Sequence, residues 1–235
     1  MVKIDMISYI GKIINDFPEK VTGHTSSPAA DHFFKVRSAT NAKLLLEDQA
    51  TAYHHTLAQL LFLSRVRRDI QMTVAFLTTR VKSPDKDDWG KLKWVLKYIQ
   101  TTCSLPLSLF AESLSMIIYV DALHQTHYDC KGHTGSLVTF GKGDATSSSI
   151  KQKIRSKSST ESELIGLYDK TRDILWTCNF FEAQGYTISN IIVFQDNLSM
   201  LSFAKNGYVS SSKGTKHIKA KYLYIHHYHN SGKLN

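Results

Sequence analysis

The sequence predicts an α/β fold in which a helical N-terminal part leads into a strand-rich C-terminal part. Three observations give this. Apolar residues recur at three- and four-residue steps through about residue 110, near Ser113 short apolar runs replace that period, and one long helical pattern separates the early runs from Ile191-Ile192-Val193-Phe194.

Taken in order, Ile4, Ile7, Ile10, Ile14 and Phe17 form one short amphipathic stripe that Pro18 stops. A polar stretch with Gly23, Ser26, Ser27 and Pro28 follows. Leu57, Leu60, Leu61 and Leu63 predict a helix from about Thr51, and Ile70, Val74 and Leu77 a second from about Asp69. Ser83-Pro84 halts the chain, and Asp87 can cap a third helix whose stripe is Trp89, Leu92, Val95, Leu96 and Ile99. In the strand-rich part, residues 116–120 form a run ending at Asp121, 137–140 form another closed by Gly141, and a third strand falls between Thr146 and Ile154. After Ser158-Ser159-Thr160 a long helix runs through Leu164, Leu167, Ile174, Leu175 and Phe181 and ends at Gly185. The strand 191–194 stops before Asp196, and two more helices are expected, from about Asn197 to Gly207 and from His217 to His229.

Composition narrows the class. No apolar run approaches the roughly 18 residues needed to cross a bilayer, and Lys3, Asp5, Lys12 and Asp16 interrupt the N-terminus where a signal peptide would be continuously apolar. The 3 cysteines have no C-x-x-C spacing, which suits a reducing, intracellular compartment. Lys and Arg number 29 against 20 acids, a net charge of +9, and from Asn197 onward there are six lysines and no Asp or Glu. Such a tail attracts polyanions; a solvated basic surface is the plainer alternative.

Asp121 and Asp196 close apolar strands, and Glu163 lies at the start of the long helix between them. Strand C-termini and adjoining helix starts share a crevice in open α/β sheets, so the three carboxylates are candidates for one site. Oxygen-only ligands favour Mg²⁺ or Mn²⁺, and two such ions can serve phosphodiester hydrolysis. Each acid also has a structural reading: Asp121 in a turn, Asp196 as a helix cap, and Glu163 in a capping box with Thr160. Glu161 and Glu163 fall in the same helical turn, and periodicity does not choose between them. His124, His127, Cys130 and His133 offer a zinc alternative, although their uniform spacing is not that of a finger. The His54-His55 pair has no partner ligands in sequence.

Several motifs carry a family resemblance. Tyr119-Val120-Asp121-Ala122, Ser158-Ser159-Thr160-Glu161-Ser162-Glu163, Gln195-Asp196-Asn197 and Thr215-Lys216-His217-Ile218, in this order, resemble the ribonuclease H domain of copia-type (Pseudoviridae-like) retrotransposon polyproteins. Residues 53–102 are similar to the segment joining the reverse transcriptase to that domain. The resemblance implies a helical connection segment, 1–112, and an RNase H-like mixed sheet with flanking helices, 113–235. It implies cleavage of the RNA strand of RNA–DNA hybrids with two Mg²⁺ or Mn²⁺ ions held by Asp121, Glu163 and Asp196, Glu163 being the family match over Glu161. Lys213, Lys216 and Lys219 are candidates for nucleic-acid contacts. The family domain continues into a fifth strand and a helix with a fourth acid; no Asp or Glu follows Asp196, so a C-terminally incomplete domain with a weakened metal site is expected. The competing expectation is a catalytically inactive, nucleic-acid-binding remnant. Expected partners are nucleic acid and the reverse transcriptase part of the same polyprotein, with no membrane.

Overall fold

A computed structural model describes residues 1–37, 42–199, 201–202 and 224–227. The chain divides into two compact units, Val2–Ser108 and Leu109–Asn235.

The first unit is mainly helical. A short exposed strand, β1 (Val2–Ile4), precedes α1 (Ile7–Asp16); α2 (Glu47–Leu63), a 3₁₀ turn at Arg68–Ile70, α3 (Gln71–Thr78) and α4 (Lys86–Thr101) follow. Ile10, Ile13 and Phe17 bury the inner face of α1 against a core that includes Tyr53, Leu57, Leu60, Leu77, Leu92 and Leu96. The expected stripe is thus shifted: Ile13 is inside, whereas Ile7 is exposed, because the strand takes up the first residues and the helix begins later. Each fully buried leucine contributes about 1.5–3 kcal/mol relative to exposure. Helix α2 starts at Glu47, one turn before the expected Thr51, with Glu47 and Asp48 favourably placed at its positive end.

Asp85, not Asp87, caps α4. Its carboxylate accepts the Asp87 and Asp88 N–H groups at 2.8 and 2.9 Å, and the Asp88 carboxylate accepts the Asp85 N–H at 3.1 Å, a reciprocal box. Asp87 instead lies one step inside the helix, where it pairs with Lys91 at 2.9 Å. The buried Arg67 guanidinium is satisfied by Asp69 and by the carbonyl and hydroxyl of Thr102, which ties the 3₁₀ turn to the end of α4.

The second unit is a mixed sheet with a helix on one face. Its elements are β2 (Leu107–Ala111), β3 (Ser115–Leu123), β4 (His133–Thr139), β5 (Gly141–Lys142), β6 (Thr146–Lys151), α5 (Ser159–Ala183) and β7 (Asn190–Phe194). The order across the main sheet is β6-β4-β3-β7; the first two pairings are antiparallel, whereas β3 and β7 run parallel because α5 crosses between them. Met116, Ile118 and Val120 alternate onto the face that α5 covers with Leu164, Leu167, Ile174 and Cys178. Helix and sheet approach closely where α5 carries Gly166, since a Cβ there would sit 3.0 Å from the Thr134 methyl. The small strands β1, β2 and β5 have no expected counterpart; β2 and β5 pair through Phe110 with Lys142 and Ala111 with Gly141.

Two boundaries differ from the sequence reading. Strand β3 runs two residues past Asp121, because its antiparallel pairing with β4 continues to Leu123 and His133 while its parallel pairing with β7 ends at Tyr119. And α5 is capped by Ser158, whose hydroxyl accepts the Glu161 N–H at 3.2 Å, while the Glu161 carboxylate accepts the Lys157 N–H at 2.8 Å. The Thr160 and Glu163 box therefore does not form. The helix expected from about Asn197 is present at 198–199 and 201–202, and the last at 224–227. Lys213, Lys216 and Lys219 lie outside the described residues.

Candidate metal centre

Three elements supply the site. Asp121 projects from β3 just beyond the last residue that β7 pairs, Glu163 from the first turns of α5, and Asp196 from the loop two residues after β7. One carboxylate oxygen from each lies within 4.8 Å of the other two, and among the described residues this is the group of three that could hold a metal ion. Parting of β3 from β7 opens the sheet there, so the crossover helix can deliver a carboxylate to the gap.

Burial distinguishes the three acids. Asp121 and Asp196 are exposed, whereas Glu163 is 4% exposed. Burial pushes the Glu163 carboxyl up to about 7; hydrogen bonds from the Gln195 side chain and the Ala122 backbone pull it down, and the charges of Asp121 and Asp196 push it up again. Gln195 connects the parts. Its amide donates to Glu163 at 3.0 Å, and its carbonyl accepts the N–H groups of Asp196 at 2.8 Å and Asn197 at 3.3 Å. Behind Glu163, buried Gln152 donates to Thr134 at 3.0 Å and to the Ser162 carbonyl at 2.9 Å, which fixes the start of α5 on the sheet.

Glu161 takes no part in this cluster, because its carboxylate is turned back to the helix cap. An all-carboxylate donor set with one buried member suits a hard divalent cation better than zinc. A cation would also offset the repulsion from Asp121 and Asp196 that adds to burial in raising Glu163.

The histidine quartet is distributed differently. His127 and His133 are buried and share a hydrogen bond of 3.0 Å, His133 Nε2 meets the Ser149 hydroxyl at 2.7 Å, and His124 Nδ1 meets the Ser156 hydroxyl at 2.7 Å. Cys130 is exposed on the turn between them with φ of 58°. These contacts make a hydrogen-bonded brace for the β3–β4 connection. Beside the carboxylates, Tyr119 and Phe194 stack at 5.0 Å across β3 and β7, each about half exposed. Sequence reasoning assigned no role to this pair or to Gln195, although Gln195 stands next to the candidate Asp196; nothing local indicates what an exposed aromatic or an amide will face.

Three antiparallel neighbours and a helical crossover to a fourth strand parallel to the first give an RNase H-like fold, with the three carboxylates at the parting of the sheet. The chain's relatives are retrovirus-related Pol polyproteins of transposons. It is 26% identical over 221 residues to the "Pol polyprotein from transposon TNT 1-94" of Nicotiana tabacum, covering 92% of this chain and 16% of that protein. It is 29% identical over 204 residues to the polyprotein from transposon RE2 of Arabidopsis thaliana, covering 83% and 14%. A putative transposon Ty5-1 protein of Saccharomyces cerevisiae is 33% identical over 128 residues, covering 53% and 42%. The chain thus spans less than one fifth of the length of the first two. No protein-family model matches. Among solved structures, an RNase H1 isolated from compost is similar with a TM-score of 0.39 and 17% identity over 52% of this chain and 81% of its own, a likeness that adds nothing to the sheet order.

Proposed function

We propose that this chain is the RNase H part of a copia-type transposon polyprotein and hydrolyses the RNA strand of RNA–DNA hybrids with Mg²⁺ or Mn²⁺. Residues 1–112 serve as the connection from a reverse transcriptase, and the nuclease occupies 113–235. The observation that carries this reading is the convergence of Asp121, Glu163 and Asp196 within 4.8 Å from three separate elements.

A divalent cation bound there would supply Lewis-acid activation of water and charge neutralisation for phosphodiester hydrolysis. Asp121 and Asp196, both exposed, would hold the cation on the side open to substrate. Glu163, buried behind them and oriented by Gln195, would complete the ligand set and help orient the attacking water. Lys213, Lys216 and Lys219 are assigned to phosphate contacts on charge alone. The site belongs within a larger polyprotein, whose reverse transcriptase is the expected partner.

A second reading, nucleic-acid binding without cleavage, is favoured by the net charge of +9. One experiment separates them. The full chain is incubated with an end-labelled RNA–DNA hybrid and Mn²⁺, beside Asp196→Asn. Cleavage by the parent and none by the variant, with binding retained by both, is the expected result. Equal cleavage by the two removes Asp196 from the mechanism, and binding without cleavage by the parent selects the second reading.

A further inference from the structure

The helical unit, Val2–Ser108, carries a basic groove of about 860 Å³ along the outer face of α4. Lys86, Gly90, Lys93, Trp94 and Lys97 follow one another at helical steps along its floor, and Lys43 and the exposed Leu44 and Leu46 form a wall. No Asp or Glu lines it among the described residues.

Three acids beside the α4 face are paired with other cations, while Glu47 and Asp48 lie beyond Leu46 at the start of α2. Glu19 pairs with Lys93 at 2.6 Å, Asp87 with Lys91 and Arg37 at 2.9 and 3.3 Å, and Asp88 with Arg80 at 3.1 Å. Lys43, Lys86 and Lys97 are left without a carboxylate partner among the described residues. Lys86 to Lys97 spans ~16 Å of helix, roughly five phosphates of one nucleic-acid strand.

Two local choices on this face bring the helix no stability. Lys86 occupies the first position of α4, where the positive end of the helix disfavours a cation. Gly90 sits in the helix interior, where glycine is unfavourable, yet a Cβ there would meet nothing within 4 Å. Packing therefore does not require it, and its missing side chain leaves the groove floor open to close approach. Local rules broken without a structural return mark functional surfaces.

We infer that this face of α4 is a second nucleic-acid-binding surface, contacting the phosphate backbone through Lys43, Lys86 and Lys97 with the strand passing over Gly90. Charge selects nucleic acid over a peptide: three unpaired cations face a groove with no acid, and backbone contact needs no side-chain code. The inference goes beyond the nuclease reading and shares with it only the class of ligand.

The test uses the full chain in EDTA, so that metal-dependent cleavage plays no part, with fluorescein-labelled 20-mer RNA and RNA–DNA hybrid followed by anisotropy from ~50 to 200 mM salt. Lys86→Gln combined with Lys97→Gln should weaken binding on the order of tenfold or more near 0.1 M salt and lower the salt slope by about 2. Lys12→Gln with Lys82→Gln, an equal charge loss elsewhere on the same unit, should change it much less. Gly90→Ala should raise Tm by ~2–4 °C while weakening binding. The inference is overturned if the Lys86 and Lys97 pair behaves like the control, if Gly90→Ala binds like the parent, or if a Glu/Leu peptide binds more tightly than RNA and loses affinity in the same variants. Failure of the parent to cleave with Mn²⁺ removes the nuclease reading and leaves this binding result standing.

Discussion

The Gln195 amide donates a hydrogen bond of 3.0 Å to the Glu163 carboxylate, linking the loop after β7 to the start of α5 across the mouth of the site. Its carbonyl simultaneously accepts the Asp196 N–H, so one neutral side chain sets the position of a buried and an exposed acid. Groups that orient metal ligands typically change affinity or activity 10–100-fold when removed.

Gln195→Leu should therefore reduce Mn²⁺-dependent hybrid cleavage by roughly 10–100-fold and raise the Mn²⁺ concentration needed for half-maximal activity. Gln195→Glu, which adds a fourth carboxylate but cannot donate, should not restore the parent value. A metal titration indistinguishable from the parent would show that Gln195 does not orient the site.

Glu163 makes the metal-free protein sensitive to pH. Its carboxyl is raised to about 7 from an ordinary 4.5, chiefly by burial, so the folded chain retains a proton that the unfolded chain gives up. That contribution to stability is complete below pH 4.5 and declines as pH rises through 7. At pH 8 without metal, Glu163→Gln should stabilise the chain, by up to ~3 kcal/mol before solvent screening reduces it. Urea unfolding in EDTA at pH 5 and pH 8 reads the difference; equal stabilities of parent and variant at pH 8 would contradict it.

Divalent ions should reverse that loss. At 100 times its dissociation constant a ligand specific for the folded state adds ~2.7 kcal/mol, so Mn²⁺ should raise the parent's Tm at pH 7.5 and barely move that of Asp121→Asn or Asp196→Asn. A shift of equal size in all three would locate the ion elsewhere.

The His127 and His133 pair should limit acid stability. Burial, aided by the neighbouring His127, lowers His133 to about 4 from 6.5, so the unfolded chain binds the proton more readily. Stability from this group is complete above pH 6.5 and is lost as pH falls toward 4. His133→Gln should flatten this part of the stability profile, which denaturant midpoints at pH 7, 6, 5 and 4 will measure.

Helix capping offers a separate check on the start of α5. Ser158→Ala should destabilise the chain by ~1 kcal/mol, whereas Thr160→Ala should stay within ~0.5 kcal/mol. The opposite order would restore the Thr160 box and turn Glu163 away from the carboxylate cluster.

Much of this was legible in the chain itself. The period of Leu92, Val95, Leu96 and Ile99 fixes the inner face of α4, and the alternation of Met116, Ile118 and Val120 fixes that of β3, since burying apolar area is the dominant local constraint. Three acids on a strand, a crossover helix and a strand end already formed a candidate set. Periodicity leaves Glu161 and Glu163 undecided and only the resemblance prefers Glu163; the physical reason lies in the tertiary structure. Glu161 and Glu163 share one helical turn, and only the Ser158 cap, which takes the Glu161 backbone while Lys157 takes its side chain, leaves Glu163 to face Asp121 and Asp196. The same holds for Asp85 displacing Asp87 as a cap and for His124, His127 and His133 bonding to serines and each other. Periodicity reports which side of an element is apolar, whereas the partner of a polar group is set by whatever distant backbone or side chain arrives within 3 Å of it.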